Sequence, residues 1–488
     1  MMIKRLCPVV ASVALLLAQV GCHHNHDKAA HAIALPSHPS LAATGSVALP
    51  HIFGDHMVLQ ADMRDPIWGS AAPDEQITVH FGEQSATAHA DANGQWQTSL
   101  TPLDATDHGQ DLTITGNHGD SQTFHDVLVG EVWLGSGQSN MELQVKTAGN
   151  AREFIAAAND PAIRIFTVKR HTSETPVADI DGEWQVCTPE TLPTFSAVLY
   201  HFGLNLHKKL DTPMGLIASS WGGTPIQAWT PAEGFSSEEA ALLRDEVGNK
   251  PRFPSMPSVL YNGMIAPIAG FGMRGAIWYQ GEADNSPKAA PKYGHRMETM
   301  VDLWRDAWNE GAFPFYFVQI APWNGYKPAD TLPIIWQQQE WFAHHGKNTG
   351  MAATGDIGDL KNIHPKNKHE VGRRLALIAL ANTYGFKDIT CEGPVYRHIK
   401  IEGNQIRVHF NHAHGLKTLD GQPPRSFEIA GADGHFVPAN VTIDDDDALV
   451  SSPEVTNPEF VRMGWHQDST INLCNAANLP ATPFESEK

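Results

Sequence analysis

The run 130–142 reads GEVWLGSGQSNME. Its first half belongs to an apolar stretch, 127–134, with the composition of a buried strand. Gly135, Ser136 and Gly137 then read as a small, flexible turn, and Met141 to Lys146 is more compatible with helix. Ser139 therefore stands at a strand-to-helix turn, where a hydroxyl is exposed and backbone N–H groups lie beside it, as a nucleophile requires. An isolated G-x-S tripeptide is more often a capping turn than a catalytic one, so its meaning rests on the rest of the chain.

Downstream of this run, apolar β-like segments at 215–219, 275–280, 314–320 and 351–354 alternate with helical patterns at 197–209, 292–309, 334–345 and 368–383. In the first helical pattern Leu199, Phe202 and Leu206 recur near a 3.6-residue period, and Lys208-Lys209 close it at the end the helix dipole favours. Alternating β and α over 126–387 predicts an α/β domain, a mostly parallel sheet with helices on both faces. Residues 48–125 differ. Short alternating runs (76–81, 95–97 after Asn93-Gly94, and 111–115) predict a small antiparallel, sandwich-like β domain. Residues 388–488 return to that pattern at 405–410, 427–429 and 439–443 and predict a C-terminal β domain and tail. The acidic turn Asp444–Asp447 lacks the spaced ligands of a calcium loop and reads as solvated.

The chain has 488 residues and a net charge of -20. That charge argues against nucleic acid or an anionic membrane surface as partner. Residues 1–22 form a targeting segment: Lys4 and Arg5, an apolar run over 9–18 too short to span a membrane, then Gln19-Val20-Gly21-Cys22. This resembles a bacterial lipoprotein signal, in which Cys22 becomes the lipidated first residue; ordinary secretion is the alternative. Either way the expected location is outside the cytoplasm: periplasmic, outer-membrane-anchored or secreted. Membrane contact is expected only through that anchor. Residues 23–47 read as a linker, and nothing around HHNH at 23–26 fixes a ligand geometry. Neither a C-x-x-C nor an H-E-x-x-H spacing occurs, so no metal site is expected. Export permits disulfides, and Cys391 and Cys474 could pair, which would leave Cys187 odd.

In an open parallel sheet, functional groups gather beyond the carboxyl ends of the strands. Four such ends carry polar chemistry: Ser139; Trp221-Gly222-Gly223-Thr224; Gln280-Gly281-Glu282; and Asp356 to Asp359 followed by Asn362-Ile363-His364. A nucleophile, a base and N–H donors for an oxyanion are what acyl transfer needs.

These motifs resemble one family. GSGQSNME (135–142), WGGTPIQAW (221–229), LYNGMIAP (260–267), IWYQGEADN (277–285) and IHPKNKHEVGRRLAL (363–377), with HIFGDHMVLQ (51–60) and NLPATPF (478–484), are similar to the sialate O-acetylesterases, a branch of the SGNH hydrolases. The resemblance implies a flavodoxin-like SGNH domain that hydrolyses O-acetyl esters of carbohydrates without metal or organic cofactor. It implies Ser139 as nucleophile, His364 as base, and an oxyanion site from the Ser139 N–H, the Gly222-Gly223 turn and the Gln280 amide. Many SGNH hydrolases carry an Asp three residues before the His; here that position is Lys361. Asp359, Asp356, a backbone carbonyl or Glu282 could orient the imidazole instead. Glu282 could equally shape the pocket or be a structural hydrogen-bond partner. Of Trp221, Trp229, Trp278 and Trp323, one or two at most are expected to touch substrate. The expected substrates are acetylated sialic acids or plant polysaccharide side chains. The competing functions are an inactive carbohydrate-binding surface protein and a lipase or thioesterase. Oligomeric state is not legible in the sequence.

Overall fold

The structure is a computed structural model that describes residues 36–43, 45–247 and 254–487. Residues 1–22, read above as a targeting segment, with Cys7 and Cys22, the histidines of 23–26 and most of the expected linker lie outside the described residues.

The centre of the fold is a seven-stranded sheet: β1 (Ser121–Gly137), β2 (Asp160–Thr167), β3 (Trp184–Cys187), β4 (Met214–Ser220), β5 (Gly275–Tyr279), β6 (Phe315–Val318) and β7 (Thr349–Ala352). Their order is β7-β6-β5-β1-β4-β2-β3. All neighbours are parallel except the edge strand β3, which is antiparallel to β2. Every residue of β5 and β6 is buried, as a sheet covered on both sides requires. The cover comes from α1 (Ala197–Leu210), α2 (Tyr293–Trp308), α3 (Leu332–His345) and α4 (Lys368–Asn382). Trp133 meets Phe202 of α1 edge-on at 4.9 Å, whereas Trp278 meets Trp304 of α2 edge-on at 6.0 Å. Trp133 is in register with Gly275, so Ile277 shares its face and Trp278 points to the other. This is the α/β architecture expected from the sequence.

The chain leaves β1 for β2, β3 and β4 on one side, then crosses to β5, β6 and β7 on the other. The crevice between β1 and its neighbours, at their carboxyl ends, is the topological switch point where such sheets bind ligands. Register aligns those ends: Gly137 pairs with Ser220 of β4 and with Tyr279 of β5. Gly137 adopts φ +131°, and a Cβ there would lie 2.3 Å from the Tyr279 carbonyl oxygen, so only glycine fits.

Two expectations about β1 are corrected. Gly135 to Gly137 is strand rather than turn, because it is paired on both sides. Helix begins at once, at Ser139–Glu142, and a 3₁₀ turn at Val145–Thr147 follows in place of a helix over 141–146. At its other end β1 starts at Ser121 and pairs with Thr106–Gly116 and Val58–Gln60 of the N-terminal β unit. A bulge at Asp126 (φ +56°) turns the strand from one layer into the next. The N-terminal unit and the central sheet therefore share one strand and one hydrophobic core.

The C-terminal region packs two four-stranded sheets around a core of its own that includes Ile406, Val408, Ile429, Val450 and Val461. The acidic turn joins strands Asn440–Asp444 and Asp447–Ser451, with Arg407 donating to both Asp444 and Asp447. Cys187, Cys391 and Cys474 are free thiols, so the Cys391–Cys474 pairing is not formed.

Gly137→Ala is expected to destabilise the protein by about 2–5 kcal/mol, from overpacking plus the left-handed backbone. Urea denaturation measures it; a loss below about 1 kcal/mol would contradict the close β1–β5 approach.

Candidate active site

Ser139 is the first residue of a one-turn helix, so its N–H has no intrahelical acceptor, and its side chain is partly exposed. Its Oγ lies 2.8 Å from Nε2 of His364. The two residues are 225 positions apart and meet because β1 and the loop after β7 end on the same edge of the sheet. That loop is shaped by consecutive Asx turns: Asp359 Oδ1 accepts the Lys361 N–H (2.9 Å), and Asn362 Oδ1 accepts the His364 N–H (3.0 Å). Burial first, then the charge of Lys368, pushes the His364 pKa below its usual value.

Among the described residues the imidazole has one hydrogen-bond partner, Ser139; neither Asp359 nor Asp356 reaches it. Asp356 accepts two 2.7 Å bonds from Arg374 of α4, which also donates to the Ala353 carbonyl and to Glu370. It fastens the loop rather than the ring. Asp359 is exposed and engaged with the Lys361 backbone. The orientation of His364 is set through its backbone instead. Asn140, next to the serine, donates from Nδ2 to the carbonyl of Ile363, next to the histidine, at 3.0 Å. The same amide donates to Glu282 Oε1, and its oxygen accepts from Lys368 Nζ at 2.6 Å. Asn140 and Lys368 are each 1% exposed.

Lys368 opens α4, the end where the helix dipole disfavours a cation. Burial lowers its pKa to about 7, against the opposing charge of Glu282. Its Nζ also sits 4.8 Å over the Tyr279 ring. Burial conversely raises the pKa of Glu282, whose second oxygen is enclosed without a partner. Glu282 is thus a structural partner of the Asn140 clamp.

The oxyanion expectations divide. Gln280 is fully buried, and its amide is committed: Nε2 donates to the Thr224 carbonyl (3.1 Å) and Asp284 (2.6 Å), while Oε1 accepts from Tyr293 (2.8 Å). It braces the β5 end against the Gly222-Gly223 loop and has no proton to offer an oxyanion. Gly222 lies against Ser139, since a Cβ there would be 3.1 Å from Ser139 Cβ, but its N–H donates to Glu142 Oε2 at 2.9 Å. Gly223, the next residue, adopts φ +74° with open space where a Cβ would stand. Trp229 and Trp278 are core residues in edge-to-face contact; Trp221 and Trp323 are only partly buried.

Sequence reasoning missed Asn140, Glu142 and Lys368 as site residues although all three lie inside the quoted motifs. A lysine in the first turn of a helix was the one available signal, and its burial depends on residues far away in the chain.

A serine–histidine pair at the carboxyl edge of a parallel sheet defines a hydrolase-type site. The model of the family described as "Carbohydrate esterase, sialic acid-specific acetylesterase" matches residues 129–381. Human sialate O-acetylesterase is 31% identical over 433 residues, covering 79% of this chain and 80% of that protein. The Pongo abelii sialate O-acetylesterase is 33% identical over 390 residues, covering 71% and 72%. Among solved structures, a carbohydrate acetylesterase from Xanthomonas citri superposes with a TM-score of 0.83 at 34% identity, covering 91% of this chain and all of that one. The protein is a carboxylic ester hydrolase and belongs to the sialic acid-specific acetylesterase family of carbohydrate esterases.

Asn140→Ala strands three buried groups: the Ile363 carbonyl, Glu282 Oε1 and Lys368 Nζ. A loss of about 3–5 kcal/mol is expected, because an orphaned buried charge is the largest part of it. Chemical denaturation checks this; stability within about 1 kcal/mol of wild type would refute the clamp.

Proposed function

We propose that this carbohydrate O-acetylesterase works by a serine mechanism through an acetyl-enzyme, and that its substrates are O-acetylated sialic acids. The 2.8 Å contact between Ser139 Oγ and His364 Nε2 supports the mechanism most directly. His364 takes the Ser139 proton as Oγ attacks the acetyl carbonyl. The resulting oxyanion is met by the N–H groups of Ser139 and Gly223. The imidazolium then returns its proton to the departing sugar oxygen, the C–O ester bond breaks, and the acetyl group stays on Ser139. Water, deprotonated by His364, attacks this ester and releases acetate and the free serine. Among the described residues no carboxylate grips the ring, so the imidazole depends on the Asn140–Ile363 clamp for its aim.

The sialate assignment rests on the family and on relatives named for that substrate. Plant polysaccharide side chains are the competing class. Acetate released from acetylated sialosides, xylan and xyloglucan decides between them. The targeting segment at 1–22 supports export, with Cys22 as the lipid attachment point.

Ser139→Ala and His364→Ala are each expected to lower kcat for p-nitrophenyl acetate by about 10⁴-fold or more. Full activity of Ser139→Ala would mean the nucleophile lies elsewhere. The pH dependence follows from the lowered His364 pKa. A base with a depressed pKa is already neutral at lower pH, so the acid limb of kcat/KM should fall below about 6.5, the ordinary histidine value. Lys368→Met removes a neighbouring positive charge and should move that limb to higher pH, whereas Lys368→Arg should not. An unmoved limb in Lys368→Met would rule out this electrostatic coupling.

A further inference from the structure

The rim beside Ser139 carries an arginine that the ester chemistry above does not use. Arg170 follows β2 on the same edge of the sheet and is exposed, with 52% of its side chain open to solvent. Its Nε and Nη2 both donate to Oε1 of Glu142. The other oxygen of Glu142 accepts the Gly222 N–H, and Gly222 abuts Ser139. Glu142 itself is three residues from Ser139 on the same helical turn. Arg170 is therefore tied to the nucleophile by an unbroken chain of contacts. Its guanidinium also lies over the partly buried Trp221 ring, 5.3 Å from the centroid.

Two contacts hold this guanidinium still, yet they use only part of it. A guanidinium has five N–H donors in a fixed fork. Glu142 takes the Nε side, through one oxygen, and among the described residues Nη1 has no protein acceptor. The outer edge is thus pre-oriented, held over an indole, and open. Trp221 and Gly222 begin the loop that the sequence marked as part of the pocket. On the separate loop that carries His364, Lys361 and Lys366 are exposed, as is Asp359.

We propose that the outer edge of Arg170 is a subsite for a carboxylate carried by the substrate, so that the enzyme selects O-acetylated sugar acids over neutral acetylated sugars. This rests on the acetylesterase reading above and specifies its substrate class. Glu142 fixes the fork from the inner side, so that the substrate carboxylate meets a donor whose position relative to Ser139 is already set. A planar fork that meets a carboxylate through two parallel N–H bonds fixes distance and direction together.

The test measures kcat/KM from released acetate, with the full-length protein, on three substrates: an O-acetylated sialic acid, its C1 carboxamide, and an O-acetylated xylo-oligosaccharide. The wild type should favour the acid over its carboxamide by about 10- to 100-fold, the value of a charge-assisted hydrogen bond. Arg170→Met should bring that ratio close to one, chiefly through KM. Arg170→Lys, which keeps the charge and loses the fork, should give an intermediate ratio. A wild-type ratio near one, or a ratio unchanged in Arg170→Met, overturns the subsite. Turnover of the xylo-oligosaccharide but not of the sialic acid overturns it too, and leaves the acetylesterase reading intact. Turnover of p-nitrophenyl acetate with neither sugar overturns the subsite and the sugar assignment together.

Discussion

The side-chain amide of Asn140 makes three hydrogen bonds in a space closed to water, and much of the site's geometry depends on them. One bond crosses from the residue after the serine to the residue before the histidine. The other two, to Glu282 and Lys368, leave the amide no freedom to turn over. A triad aims its imidazole by gripping the ring with a carboxylate. Here the grip falls on the backbone one residue earlier, and the ring follows from it. The loop that carries the histidine is held a second time by Arg374, whose fork closes on Asp356. Position 361 can therefore be a lysine.

This arrangement has a thermodynamic side. A lysine buried at the first turn of α4 is disfavoured by desolvation and by the helix dipole. Its compensation is the Asn140 oxygen, the Tyr279 ring and the nearby carboxylate of Glu282. Asn367 caps the same helix, its side chain accepting from the Glu370 N–H, so the turn that carries Lys368 is fixed from the outside as well. Buried polar groups of this kind are high-stakes: satisfied, they specify one arrangement; disturbed, they penalise every alternative.

Much of this was legible in the sequence, and the boundary of legibility has a physical cause. The five strands read from apolar runs and the four helices read from periodicity lie where expected, since burial on a strand or a helix face leaves a local pattern. β2 and β3 escaped notice: β3 is an edge strand, and only the second half of β2 is buried. The serine and histidine were legible because motifs mark strand ends. The state of their neighbours was not. Gln280 looks like an oxyanion donor until Tyr293, thirteen positions on, is seen to donate to its oxygen, and Asp284 to accept its proton. Asp356 looks like a triad acid until Arg374 is placed beside it. Which partner a polar group finds is a long-range fact. Residue type and spacing state only what it is able to do.

Strand β1 passes from the N-terminal β unit into the middle of the central sheet without a break. Its early residues pair with one layer and its last residues carry the turn to Ser139. Hydrogen bonds along a continuous strand do not form in independent halves, so the two regions should gain and lose structure together. The N-terminal unit is then no detachable accessory. It cannot be exchanged, cut away or allowed to drift as a separate module without moving the strand end that carries Ser139.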